Sequence, residues 1–284
     1  MNHTTLLIFQ RVAQEQSITR AAKALGRAQS NITTRIQQLE EELDVELFVR
    51  GNKKMVLSAA GRQFLDYATR ILSLGEEARQ ALHPTTPGGN LRLGAMEATA
   101  ASRLIPLLAQ FREACPAVAL TLQTLPTQQL TERVQNAALD CALVCLPVVA
   151  GEPACPTDIE YLGVFAEQLM LVTPADRPAC RLAAFPIGCT YRARGEAFFA
   201  NQPIDVQDVG SYHAMVACIA SGGYAGILPQ SVIDIMTLPE NSHTRPIGQA
   251  LTQLIWRRGY TSPALSELRQ LLATASNLSS AGPL

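Results

Sequence analysis

Gln29, Ser30, Asn31, Thr33, Thr34 and Arg35 form a run of hydrogen-bonding side chains closed by a cation, and no carboxylate intervenes before Glu40. Amides, hydroxyls and a guanidinium presented together suit the donors and acceptors of base edges and the oxygens of phosphate. Ser17, Thr19, Arg20, Lys23 and Arg27 lie just upstream, again without an acid among them. The chemistry this implies is noncovalent recognition of double-stranded DNA.

Two helices are needed to present such a run. Ser17 is a capping residue for a short helix whose Ala21, Ala22 and Leu25 make a small apolar face, and Gly26 ends it. Ile32, Ile36, Leu39 and Leu43 recur at i, i+4, i+7 and i+11, so the polar run falls off the buried stripe of a second helix. A merely solvated helical hairpin is the alternative, but it would show Glu and Lys pairs on its exposed face, whereas acids enter here only at Glu40 to Glu42. Leu47-Phe48-Val49 and Met55-Val56-Leu57 then flank Arg50, Gly51, Asn52, Lys53 and Lys54, a hairpin with a basic tip. Its cations would rest on phosphate, giving affinity that salt weakens.

The first 65 or so residues thereby resemble the winged helix-turn-helix of LysR-type transcriptional regulators. Leu6, Phe9, Val12, Ser17, Ala21-Ala22, Leu25, Gln29-Ser30, Ile36, Leu39-Glu40, Leu43, Leu47-Phe48, Arg50, Leu57-Ser58 and Gly61 carry the likeness. Asp44 stands where the family usually has glycine, Ser58 where threonine is common, and Asn31 where a small or apolar residue is usual. Asp tolerates turn geometry and Ser keeps a capping hydroxyl.

Composition is consistent with a two- or three-domain chain: 284 residues, 48% of them apolar, bury a sizeable core. The net charge of −1 conceals an imbalance, since residues 1 to 65 hold nine Lys or Arg against six Asp or Glu, and the acidic excess lies in the remainder. The basic part is the part patterned for DNA. Residues 59 to 82 form a connecting helix, in which Phe64, Ala68, Ile71, Gly75, Ala78 and Leu82 alternate at spacings of four and three. Such a rod, roughly 36 Å long at 1.5 Å per residue, either pairs with a second copy or packs on its own chain. The resemblance favours self-association as a dimer or dimer of dimers, so that two readers meet two half-sites. The stretch 83 to 90, with two prolines and two glycines, is a hinge.

From residue 91 onward, strand patterns at 91–95, 118–125, 141–145, 168–173, 185–190, 205–209, 225–228 and 251–256 alternate with helical ones at 103–115, 127–138, 195–201, 212–221 and 266–275. The expected fold class is thus an α/β effector domain of two Rossmann-like subdomains with a mainly parallel sheet, preceded by the α-rich winged helix-turn-helix domain and the long linker helix. The predicted division is 1–58, 59–82, 83–90 and 91–284, with subdomain I at about 91–161 and 247–276, subdomain II at about 162–246, and crossovers near 146–167 and 237–250. This half is similar to the family's effector domain, itself related to periplasmic substrate-binding proteins. Leu91-Arg92-Leu93-Gly94, Ile105-Pro106, Phe111 with Pro116, Leu139-Asp140 with Cys141-Ala142-Leu143, and Gly222 through Leu228-Pro229 carry that likeness more weakly. Tyr224 departs from it where glycine is common, and the His-Pro segment usual after 168–173 is absent.

A cleft between two such halves is where small molecules bind, lined by loops at the carboxyl ends of strands. Thr99, Ala100 and Ser102, then Thr127, then Cys189, Thr190, Tyr191 and Arg192 occupy those positions. Arg192, with Arg194, would suit a carboxylate effector. Equally, Thr99 and Ser102 would serve as caps and the arginines as surface charges. Cys189 beside Arg192 is a candidate for a thiol of lowered pKa that senses oxidant or electrophile, against the plainer reading of a small buried residue.

Other classes are disfavoured. No G-x-S-x-G, Walker loop, early G-x-G-x-x-G or H-E-x-x-H motif occurs, and His3, His83, His213 and His243 are scattered, so an enzyme is not expected. All seven cysteines fall between Cys115 and Cys218 without a C-x-x-C pair, against a metal site or disulfide framework. No cofactor is called for. Neither a secretory leader nor a run of about 18 apolar residues is evident, which sets aside an exported solute-binding protein and predicts a cytoplasmic location without membrane contact. The reading is a DNA-binding regulator responsive to a small-molecule effector, with RNA polymerase as a partner if it activates.

Overall fold

The computed structural model describes residues 1–51, 54–82, 88–175, 179–202 and 204–279. Two compact units result, the first comprising residues 1–82 and the second nearly all that follows. In the first, α1 (His3–Glu15), α2 (Ile18–Leu25) and α3 (Gln29–Leu43) precede a ribbon of β1 (Phe48–Gly51) and β2 (Lys54–Leu57), and α4 (Ala59–Ala81) follows it.

Local chemistry sets these boundaries. The Asn2 side-chain oxygen accepts from the Thr5 amide at 3.0 Å, and Ser17 Oγ accepts from the Arg20 amide at 3.3 Å. Gly26 (φ 61) and Asp44 (φ 50) end α2 and α3 in the left-handed region, where Asp substitutes for glycine. Ile32, Ile36 and Leu39 are buried with Leu6, Phe9, Val12 and Ala21 and Ala22 of α2, and the Phe9 ring lies 5.3 Å from Phe48 and 5.0 Å from Phe64. The Glu40 carboxylate accepts from the amides of Leu47 and Phe48 at 2.8 and 3.0 Å, tying α3 to the ribbon. Ser58 Oγ accepts from the Gly61 amide at 2.9 Å, and at Gly61 a Cβ would stand 2.0 Å from the Leu47 carbonyl oxygen, so only glycine admits this approach.

The second unit runs β3 (Gly89–Ala95), α5 (Glu97–Ser102), α6 (Leu104–Ala114), β4 (Val118–Thr124), α7 (Thr127–Gln135), β5 (Cys141–Val144), a short ribbon of β6 (Val148–Val149) and β7 (Glu152–Pro153), β8 (Ile159–Pro174), β9 (Arg181–Ala184), α8 (Thr190–Phe198), β10 (Asp205–Asp208), α9 (Tyr212–Ala220), β11 (Tyr224–Pro229), α10 (Gln230–Ile233), β12 (Ser242–Arg257) and α11 (Pro263–Ser279). One eight-stranded sheet has the order β10-β9-β11-β8-β12-β5-β3-β4. β3 is parallel to β4 and β5, and β9 to β10 and β11, while β8 and β12 run antiparallel from Ile159↔Arg257 to Ser242↔Pro174.

Three expectations need correction. The crossovers between halves are β8 and β12, 16 residues each, which pass from one half to the other as continuous strands, so the sheet is not mainly parallel. The sheet is consequently mixed, because a chain that leaves a half on one strand and returns on its neighbour must reverse direction. The predicted strand at 185–190 is instead Arg181–Ala184, since Pro186 offers no amide to a ladder and Gly188 takes φ 95. α8 therefore starts at Thr190 rather than 195.

Period-two alternation in β5 serves two cores at once, Ala142 and Val144 facing one and Cys141 and Leu143 the other. At Gly94 a Cβ would lie 2.5 Å from Leu130 and 2.7 Å from Leu139, which lets α7 settle directly on β3. Asp140 accepts from the Arg92 amide at 2.7 Å and from its Nε at 3.2 Å, so two motif residues distant in sequence lock β3 to the entry of β5.

Candidate nucleic-acid interface and effector cleft

On α3, Gln29, Ser30, Asn31, Thr34 and Arg35 are exposed, while Thr33 is half-buried and donates its hydroxyl to the Gln29 carbonyl at 3.0 Å. Ala28 precedes the helix without a side-chain cap, and the first turn holds no acid. The leading amides thus keep their donors and the positive end of the helix dipole stays uncompensated, as anion contact requires. Thr19 and Arg27 are exposed beside this face, whereas the Ser17 hydroxyl is committed to its cap. Arg20, which has no acid near it in the span 17 to 35, turns back to Glu15, Nε to carboxylate 3.7 Å. Lys54 is exposed on the ribbon. Lys53 lies outside the described residues, as does the side chain of Arg50, whose backbone pairs with Met55.

α4 has two apolar faces. Phe64 and Ala68 pack with Leu72 into the core of their own unit, and a Cβ on Gly75 would come 3.8 Å from His3 of α1. Left in solvent are Tyr67, Ile71, Leu74, Ala78 and Leu82. The outward stripe is thus displaced by about one residue from the predicted seam at its N-terminal end, because the same four-three spacing also fits the face that packs at home.

In the second unit, a cavity of about 180 Å³ lies between the starts of α5 and α7 on one side and the 185–189 loop with the starts of α8 and α9 on the other. Thr127, Cys189 and Tyr191 line it, joined by Met96, Glu97, Phe185, Gly210 and Tyr212. An adjoining cavity of about 720 Å³ shares Thr127 and Cys189 and adds Thr190, Gln128 and Arg194. The Gln128 amide donates to the Gly188 carbonyl at 3.2 Å. Thr99, Ala100, Ser102 and Arg192 line neither cavity. α5 starts directly after β3, so residues 96 to 98 meet the cleft and the rest of that helix turns inward: Thr99 is buried, Ala100 packs in the core, and Ser102 Oγ donates to the Ala98 carbonyl at 2.7 Å with Ser231 Oγ 3.1 Å away. Only the position directly after β3 hints at Glu97 in the sequence; nothing there hints at Gly210 or Tyr212.

The arginine expected to receive a carboxylate is occupied. Arg192 pairs with Glu196 at 2.8 Å and Asp208 at 2.6 Å, and Arg194 donates to the Gln249 carbonyl. The Cys189 thiol is pushed up by burial, which outweighs the amides of Arg192 and Tyr191 and the Arg192 charge. That is the reverse of an activated thiol. The Tyr191 hydroxyl is buried without a partner at hydrogen-bonding geometry, and burial raises it strongly, the Thr252 hydroxyl acting the other way.

A helix-turn-helix reader with a ribbon wing, followed in one chain by a two-lobed α/β domain around a cleft, defines a DNA-binding regulator with a ligand-binding domain. Residues 3–62 match the family model "Bacterial regulatory helix-turn-helix protein, lysR family", and residues 84–277 match "LysR substrate binding domain". The chain belongs to the LysR family of transcriptional regulators. It is 36% identical to the uncharacterized HTH-type transcriptional regulator YusT of Bacillus subtilis over 89% of this chain and 88% of the relative. It is 35% identical to the regulator GltR of the same organism, over 82% and 81%. Among solved structures, a full-length OxyR variant of Pseudomonas aeruginosa shares the fold with a TM-score of 0.70 at 21% identity, covering 98% of this chain and 95% of that one. Full-length CbnR in complex with its target DNA gives 0.65 at 23%, covering 97% and 100%. The relatives are regulators and not enzymes. Among the described residues no helix is long and apolar enough to cross a membrane.

Proposed function

We propose that this regulator reads its operator through Gln29, Ser30, Asn31, Thr34 and Arg35, with Ser17, Thr19, Arg27 and Thr33 supporting the register and Arg50, Lys53 and Lys54 resting on phosphate. The exposed, acid-free polar face of α3 over buried Ile32, Ile36 and Leu39 carries the reading. Division into a DNA-binding domain (1–58), a linker helix (59–82), a hinge (83–90) and an effector domain (91–284) accompanies it. Self-association through the outward face of α4 gives a dimer, and two dimers a tetramer, acting on chromosomal DNA in the cytoplasm; RNA polymerase is the further partner where the outcome is activation. A small molecule in the cleft shifts the balance between two arrangements of the lobes by its differential affinity for them. Burial of the Cys189 thiol supports a bound effector over an oxidant as the signal.

The test is binding of the full chain to duplexes it selects from genomic DNA. Arg35→Ala is expected to cost about 1–3 kcal/mol on the selected site and to relax one base position, whereas Lys53→Ala weakens all duplexes alike and lowers the salt slope by about 1. Equal loss on every sequence for both variants removes the base-reading role of Arg35.

A further inference from the structure

The smaller cavity of the cleft has the opposite charge to the one its neighbouring arginines would have lent it. Among the described residues Glu97 is its one charged lining residue, while the adjoining cavity carries both Glu132 and Arg194. Arginines flanking the lining segments are engaged: Arg192 with Glu196 and Asp208, Arg92 with Asp140, Arg103 with Glu167 at 2.8 Å, and Arg194, on the adjoining cavity, with a backbone carbonyl. Glu97 itself has no ion pair or hydrogen bond among the described residues; burial raises its carboxyl, and the charge of His213 only partly offsets this. A second anion beside it, between largely apolar walls, would meet repulsion and lose hydration without a cation to offset either. Phe185 and Tyr212 stand edge to face at 4.9 Å on the opposite wall, and rings of this kind favour a cation.

We infer that the smaller cavity of the cleft accepts a small organic cation, an amine with an apolar or aromatic body, whose ammonium pairs with Glu97. This rests on the cleft being the effector site. A carboxylate effector, the expectation from Arg192 in the sequence, is disfavoured by the same geometry.

Calorimetry and thermal shift on the full chain with benzylamine, benzyl alcohol and benzoate, matched in shape and differing in charge, test it. Benzylamine is expected to bind at least roughly tenfold tighter than benzoate, and Glu97→Gln to erase that advantage while leaving benzyl alcohol unchanged; Glu97→Asp retains part of it. Gly210 borders the cavity and a Cβ there meets nothing within 4 Å, so Gly210→Phe fills the space without backbone strain and should abolish binding of every probe. Benzoate equal to or tighter than benzylamine, no binding of benzylamine at millimolar concentration, or indifference of benzylamine to Glu97→Gln overturns the inference. If Gly210→Phe removes the bound probes, the cleft survives such a failure; if it leaves them bound, the cleft assignment itself fails.

Discussion

On α3 the outward side chains from Gln29 to Arg35 play little part in the fold, whereas in the cleft Thr127, Thr190 and Tyr191 are themselves buried parts of the second unit. The surface proposed to read DNA is held from behind by Ile32, Ile36 and Leu39, so its chemistry and its scaffold are separable. In the cleft they overlap: Thr190 Oγ1 donates to the Cys145 carbonyl, and the Cys145 amide is 3.4 Å from Thr127 Oγ1, so the same groups hold the lobes and face the ligand. Operator preference can thus drift by single substitutions at little cost in stability. Shape preference set by Thr127, Thr190 and Tyr191 cannot, because these residues are also packing residues; Glu97, which carries no ion pair or hydrogen bond among the described residues, is the exception.

The sharpest way to break this contrast is at the scaffold of the first unit. Gly61→Val puts carbon into the Leu47 carbonyl and should unfold residues 1–82, abolishing DNA binding while probe binding in the second unit persists; limited proteolysis would show which unit is lost. Survival of DNA binding would mean that α4 and the ribbon do not need their contact. Asp140→Ala comes next, leaving Arg92 without its buried carboxylate, at a cost of about 3–5 kcal/mol in urea unfolding of the second unit. Tyr191→Phe and Arg35→Ala then sharpen the contrast directly. Removing a buried hydroxyl without a partner at hydrogen-bonding geometry should raise stability by about 1 kcal/mol, while Arg35→Ala should move stability by no more than about 0.5 kcal/mol.

The smallest effect is pH-dependent. Burial raises the Glu97 carboxyl in the folded chain, so the fold favours its protonated form. The associated stability is present below the usual carboxylate range and is lost as pH rises through the raised value. Glu97→Gln has no such loss, and its melting temperature should exceed the parent's near neutral pH, the gap closing as the solution is acidified. A gap that widens on acidification would mean the carboxylate is stabilised in the fold.

Much of the first unit was legible because its signals are local. Ser17 and Gly26 cap helices where the capping rules put them, and the apolar stripe of α3 leaves one polar side. The outward seam of α4 was not legible, since Phe64 and Ala68 obey the same heptad spacing as Ile71 and Ala78 yet pack at home. In the second unit the alternation of strands and helices announced an α/β domain, but the 185–190 segment was misread because an apolar stretch looks like a strand until Pro186 and Gly188 are weighed. That shift of a few residues moved Thr190, Tyr191 and Arg192 onto a helix and turned Arg192 toward Glu196 and Asp208.

The amino-acid order alone determined the helix-turn-helix, its polar reading face, the basic ribbon and the family, since each depends on contacts between residues near in sequence or on motifs written contiguously. Only the tertiary structure decided that β8 and β12 join the lobes, that Glu97 rather than an arginine lines the smaller cavity, and which side of α4 remains free. Those outcomes are set by which distant segments come together, and neither hydrophobic period nor residue type specifies the partner across a cavity or the side of a helix that packing leaves over.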